Sequence, residues 1–181
     1  MSHTRDGTRT LVESKDHTMK TLKSATAGLV AGLAGVAAMT AAEKVEQAVT
    51  HRPNSYVPAK TLAALTGRNP GDYNHRRGWN WAMHWGQGIL LGAVRGIMAQ
   101  HGARGPFGSY MFTGLRLLND QTLENATGVG SPPWTWPVDE QVIDLTHKGI
   151  YGFVTGFVAD RLIAGPAGVP RPRLPWAARS T

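Results

Sequence analysis

"SATAGLVAGLAGVAAMTAA", Ser24 to Ala42, runs for 19 residues without a charge and follows Lys15, Lys20 and Lys23. A helix of that length suits one crossing of a hydrocarbon core about 30 Å thick. Two other structures fit the same composition: a signal peptide with a long n-region and a passable cleavage site, or a buried helix of a soluble bundle. Glycine tilts the reading toward the membrane. Gly28, Gly32 and Gly35 lie inside the apolar run, and the 22 glycines of the chain fall within apolar segments more than in turns. In a soluble helix each interior glycine costs roughly 1 kcal/mol relative to alanine, whereas in membrane helices small residues let two backbones approach closely.

Three further segments share this texture. "WNWAMHWGQGILLGAVRGIMAQHG" begins at Trp79, "GPFGSYMFTGLRLLNDQTLENATG" places Pro106 at a helix start, and "VDEQVIDLTHKGIYGFVTGFVADRLI" begins at Val138. The last two hold only 11 consecutive uncharged residues each, short of a full crossing. Between the first two segments, 47–78 carries Pro53, Pro58 and Pro70, with "VPAKTLAALTG" as a short helix and "RNPGDYNHRRG" as a loop. Residues 1–18 are polar and without hydrophobic period and predict a disordered tail with a basic flank; 165–181 are Pro- and Arg-rich and predict an extended one. No strand-like alternation occurs. The predicted fold is all-α: a single transmembrane four-helix bundle over 19–164 with glycine-rich packing faces.

Composition narrows the chemistry. Cysteine is absent, which removes disulfides, thiolate metal sites and thiol nucleophiles. Nineteen Lys and Arg against 12 Asp and Glu give a net charge of +7, suited to anionic partners such as lipid head groups. The basic residues are scattered over flanks with no aromatic-laced groove, so no nucleic-acid partner is expected. Positive charge also orients the bundle. Arg95 and Arg104 follow the second segment and Arg161, Arg171, Arg173 and Arg179 close the chain, whereas between Leu117 and His147 there is no Lys or Arg. Both termini are therefore expected in the cytoplasm. The 43–77 connection, with six basic residues, runs against this pattern. Trp79, Trp81, Trp85, Trp134 and Trp136 all fall near the opposite, non-cytoplasmic surface, where indoles anchor in the head-group layer.

The acids and imidazoles gather at the same end. Counted at 1.5 Å per residue, the first helix rises about 30 Å from Lys23 to Glu43, which brings Glu43 and Glu46 to the level of His84, Asp120, Glu124, Asp144 and His147. At 100° per residue the first helix aligns its glycines with Glu43 and Glu46, and the second sets Gly88 and Gly92 near His84. In the fourth, Gly149, Gly152 and Gly156 lie opposite the stripe of Glu140, Asp144, His147 and Tyr151. Asp144 and His147, with His84, are the candidate metal ligands: an acid three residues before a histidine loosely echoes the di-metal carboxylate bundles. A divalent metal is thus a candidate cofactor, and a cation or proton-active small molecule a candidate ligand. The structural alternative is that Asp139 and Glu140 complement a helix dipole and that Asp120 and Glu124 end a solvated helix.

The sequence resembles small multi-pass membrane proteins of the YagU-like kind through "GLVAGLAGVAAMTAAEKVE" and "WAMHWGQGILLGAV", which lie in the first two of its four long segments. That resemblance implies integral membrane location and brings no established chemistry. The partners expected are the bilayer, the small ligand, and a second copy of the chain through the glycine faces. The functions that fit are a cation- or proton-linked membrane protein, a membrane acid–base or metal-dependent enzyme acting on a lipid-like substrate, and a structural protein whose polar residues only finish helix ends.

Overall fold

A computed structural model describes residues 3–68 and 73–163, with side chains placed for 13–68 and 75–163. The fold is all-α. Four long helices, α1 (His3–Thr50), α3 (Tyr73–Gln100), α4 (Gly105–Ala126) and α5 (Val138–Ile163), pack together with the short α2 (Val57–Thr66), and Pro133–Thr135 forms one 3₁₀ turn before α5. The residues beyond Ile163, including the expected Pro- and Arg-rich tail, lie outside those described.

Two boundaries differ from the sequence reading. A disordered tail was expected over 1–18, but α1 begins at His3; the stretch holds no proline and a single glycine, so nothing stops a helix already nucleated by its packed half. α3 starts at Tyr73, so His75, expected in a loop, is helical and exposed. The other ends follow local chemistry. α2 has proline in its first turn and Gly67 at φ 64° closing it, a left-handed position that favours glycine. His51 takes a left-handed φ of 57° after α1 and turns the chain back on itself. α4 also carries proline in its first turn, and Asp139 and Glu140 stand in the first turn of α5, where carboxylates face unpaired N–H groups.

Glycine sets the helix spacing. A Cβ on Gly92 would fall against Gly28 O and Gly32 Cα, and one on Gly96 against Ser24 O and Gly28 Cα, so α1 and α3 meet backbone to backbone. Gly35 lies under Tyr151 and Thr155 of α5, while Gly152 and Gly156 receive Thr113 and Ser109 of α4. These glycine faces are thus engaged within the chain. α5 lies between α1 and α4, so Gly152 and Gly156 are buried along with Lys148, Tyr151 and Thr155, while Asp144 and His147 are half-buried and Glu140 is exposed. The expected opposition of glycine and polar faces on this helix gives way to burial on two sides, although Gly149 has open space.

Apolar and polar residues are distributed unusually. Leu90 is 68% exposed, Phe107 72% and Phe157 58%, while Arg95 is 0%, Arg116 3% and Lys148 6% exposed. Ser109, Thr113 and Thr155 are buried as well. The small apolar core comprises Val36, Met39, Phe112 and Tyr151. Among the described residues, α1 alone is long and apolar enough by composition to cross a membrane, with mean hydropathy 1.6.

Candidate functional site

The ends of the helices opposite Ser24 enclose a cavity of about 500 Å³. α1 supplies Thr40 and Glu43 to it, α3 His84 and Gln87, α4 Arg116 to Glu124, and α5 Asp144 to Lys148; α2 and the connections at 52–56 and 129–131 close its side. Ala59 N–H donates to Asn80 Oδ1 at 3.1 Å and ties α2 to α3. Exposed Lys44, Ser55 and Arg77 border the cavity, so it reaches the outside at the helix ends.

Its deepest wall is an ion-pair network centred on Asp120. Oδ2 accepts from Arg116 Nε at 2.9 Å, one helical turn earlier, and lies 3.3 Å from Lys148 Nζ. Oδ1 accepts from Gln87 Nε2 at 2.7 Å and from Asn119 Nδ2 at 3.3 Å. Three hydrogen bonds and the neighbouring Lys148 ammonium thus commit this carboxylate to groups of the chain itself. Lys148 also donates to Asp144 Oδ2 at 2.8 Å. The Arg116 guanidinium lies 5.1 Å from the centre of the Tyr151 ring, whose hydroxyl donates to Gly88 O at 2.6 Å. Two cations thus meet two anions with little water, an arrangement that holds only when nearly every partner is present.

The remaining expected residues take separate places. His84 Nε2 stands 3.2 Å from Thr40 Oγ1, and because that hydroxyl donates to Val36 O, the imidazole nitrogen is the donor of the pair. Glu43 accepts from Gln47 Nε2 at 3.1 Å and borders the cavity. Glu46 does not: it turns to Arg52, which binds it with Nη2 at 2.8 Å and Nε at 3.2 Å, and Thr50 donates to it at 2.6 Å. Those donors hold Glu46, past the uncharged run that ends at Ala42, at a pKa of about 2. Glu124 and His147 border the cavity half-buried. Glu124 lies beyond Leu118, the last large exposed apolar side chain of α4, and burial raises its pKa. Asp144 is bound to Lys148, one residue past the histidine with which the sequence pairs it. Among the described residues no three His, Asp or Glu side chains come together as metal ligands, so His84, Asp144 and His147 share a cavity without forming a metal group.

The cations were missed. Arg116 and Lys148 lie one residue outside the stretch free of Lys and Arg, and each is four residues from an acid. That spacing puts each pair on one helix face and was the available signal. At the other end Arg95 Nη2 donates to Asp160 Oδ1 at 2.8 Å, and Asp160 Oδ2 accepts the Gly105 N–H at 2.7 Å, which fastens the start of α4 to α5. The chain matches no protein-family model, no curated protein and no solved structure.

Proposed function

We propose that this chain is a multi-pass integral membrane protein whose four long helices cross a bilayer and whose chamber, at the non-cytoplasmic end, binds a small polar ligand. One observation carries the reading: large apolar side chains such as Leu90, Phe107 and Phe157 cover the outside while Arg95, Arg116 and Lys148 are buried. A water-soluble bundle has the reverse distribution, and exposed apolar surface on this scale calls for a partner as apolar as lipid. The buried cations also account for the low hydropathy of α4 and α5, since inward-facing charge lowers the average of a helix whose outer face is greasy. The YagU-like resemblance points the same way.

The test is membrane fractionation with an alkaline carbonate wash, followed by reporters fused at either terminus. Retention in the pellet, extraction by detergent alone and cytoplasmic reporters are expected. Release by carbonate would overturn the reading and make the bundle soluble.

A second reading is acid–base or proton-linked chemistry on a lipid-like substrate. What favours it is Glu124, half-buried beside the cavity and raised toward its protonated form, with His84 and His147 on the same wall. Asp120, held by three hydrogen bonds and the Lys148 ammonium, is not the base in that scheme.

A further inference from the structure

Eight buried side-chain polar atoms among the described residues lack a hydrogen-bond partner, and three of them belong to residues on the chamber wall: Thr61 Oγ1, Trp85 Nε1 and Arg116 Nη1. An indole N–H and a guanidinium N–H can only donate, and the hydroxyl can donate as well. Among the acceptors, Asp120 is taken by Gln87, Arg116 and Asn119 with the Lys148 ammonium beside it, and Asp144 Oδ2 by Lys148, while the carboxylates of Glu43, Glu124 and Glu140 also border the cavity. The inner wall therefore keeps three donors that no acceptor of this chain satisfies, which an acceptor ligand would meet and a metal ion or an ammonium group would not.

We infer that the chamber takes an oxyanion, the carboxylate or phosphate of a small molecule or of a lipid head group, seated against Arg116 Nη1 and Trp85 Nε1 with Thr61 as a third donor. The inference rests on the reading of the chamber as a ligand site and gives that ligand its chemistry. Arg116 is suited to the task because it is already oriented. Its Nε is fixed on Asp120, its Nη2 faces Gln87 Oε1 at 3.5 Å and its face lies on Tyr151, so Nη1, covered in this structure, is the one nitrogen left without a partner and needs no further ordering of the side chain. The paired charges around it nearly cancel, so recognition comes from aimed hydrogen bonds in a poorly solvated place more than from net charge.

The experiment measures thermal shift and calorimetric binding on the full chain in detergent. The probes are inorganic phosphate, acetate, dihexanoyl phosphatidic acid, and choline chloride as a cation control. Wild type is expected to be stabilised by at least one of the three anionic probes and not by choline. Binding of the short-chain lipid alone identifies a head group as the source; binding of phosphate or acetate as well identifies a soluble acid. Arg116→Lys should weaken binding most. Because that variant disturbs the ion-pair network, Thr61→Val and Trp85→Phe serve beside it, each removing one donor and sparing the charges. Each should weaken binding about five- to tenfold, the worth of one hydrogen bond. Without probe, Thr61→Val should be at least as stable as wild type, because it replaces an unsatisfied hydroxyl by a methyl of the same shape. Unchanged affinity in both of these variants, or no anionic probe binding to wild type, would overturn the inference. Stabilisation by choline alone would overturn it too while leaving the chamber a ligand site, and carbonate release would remove the membrane topology without touching these titrations.

Discussion

The two halves of the bundle are built from the same four helices and behave differently. Toward Ser24 the helices touch through glycine: Gly28, Gly32, Gly92 and Gly96 join α1 to α3, and Gly152 and Gly156 join α5 to α4. Toward Glu43 the glycines stop on α1 after Gly35, and Gly78 and Gly86 of α3 and Gly149 of α5 have no neighbour within 4 Å of where a Cβ would stand. These three glycines are not on the chamber lining, whose wall at this end is built of larger side chains such as His84, Gln87, Arg116 and Glu124. Each half buries an arginine against an aspartate. In the closed half Arg95 and Asp160 fasten two helices, whereas in the open half Arg116 and Asp120 form a wall. The same residue pair thus enters a glycine-packed interior at one end and a cavity wall at the other.

The largest effect that would break this comparison comes from a leucine at matched places on α3. Gly92→Leu should abolish the folded bundle, because its Cβ would meet backbone on α1, which cannot repack as a side chain can. Gly86→Leu has open space and should fold normally, gaining up to about 1 kcal/mol from helix propensity. Thermal unfolding and size-exclusion chromatography in detergent check both. Equal tolerance at the two sites would mean that glycine does not set the spacing.

Next in size is asparagine at each aspartate. Asp160→Asn leaves Arg95, 0% exposed and with Nε and Nη1 already without partners, beside a neutral group that must also face the Gly105 N–H; a loss of about 3–5 kcal/mol is expected. Asp120→Asn keeps one accepting oxygen, and Lys148 retains Asp144, so about 1–3 kcal/mol is expected. Denaturant unfolding of both variants measures the difference. Equal losses would mean that the outer network is as closed as the inner one.

How much of this was legible in the sequence follows from which signals are local. Helix number, the start of α4 at its proline and of α5 at its acids, and the gathering of polar residues at one end all follow from spacing and rise along a single helix. The pairing between helices does not. The sequence sets Asp144 with His147 because they are three apart, yet the carboxylate turns to Lys148, which faces inward only because α4 and its Asp120 stand there. Glu46 likewise left the cluster when His51 turned the chain and returned Arg52 to it, a consequence of one left-handed residue that composition does not reveal. Hydropathy averages over both faces in the same way: with Arg116 and Lys148 turned inward, α4 and α5 average as less apolar than the surface they present.

The smallest predicted effect separates two acids at the same end by the sign of their pH dependence. Glu46 is held at about 2, below its ordinary 4.5, so it stabilises the fold above pH 4.5, and this contribution is lost as pH falls through about 2. Glu46→Gln should therefore lower stability at pH 7, by less than about 1 kcal/mol because the pair is partly exposed, and the difference from wild type should shrink between pH 4.5 and 2. Glu124 is raised above 4.5 by burial, so its favourable contribution belongs to the protonated form: it is present below pH 4.5 and lost as pH rises through the folded value. Glu124→Gln should stabilise the protein at pH 7, again by under about 1 kcal/mol once solvent at the cavity mouth is allowed for, and should be neutral at pH 4. Unfolding midpoints of the two variants across this range should diverge in opposite directions from wild type. If both fall together at pH 7, the Glu124 carboxylate is as well compensated as Glu46. The chamber would then hold an acceptor matched to a cation of its own, and the case for an oxyanion would have to rest on Arg116 and Trp85 alone.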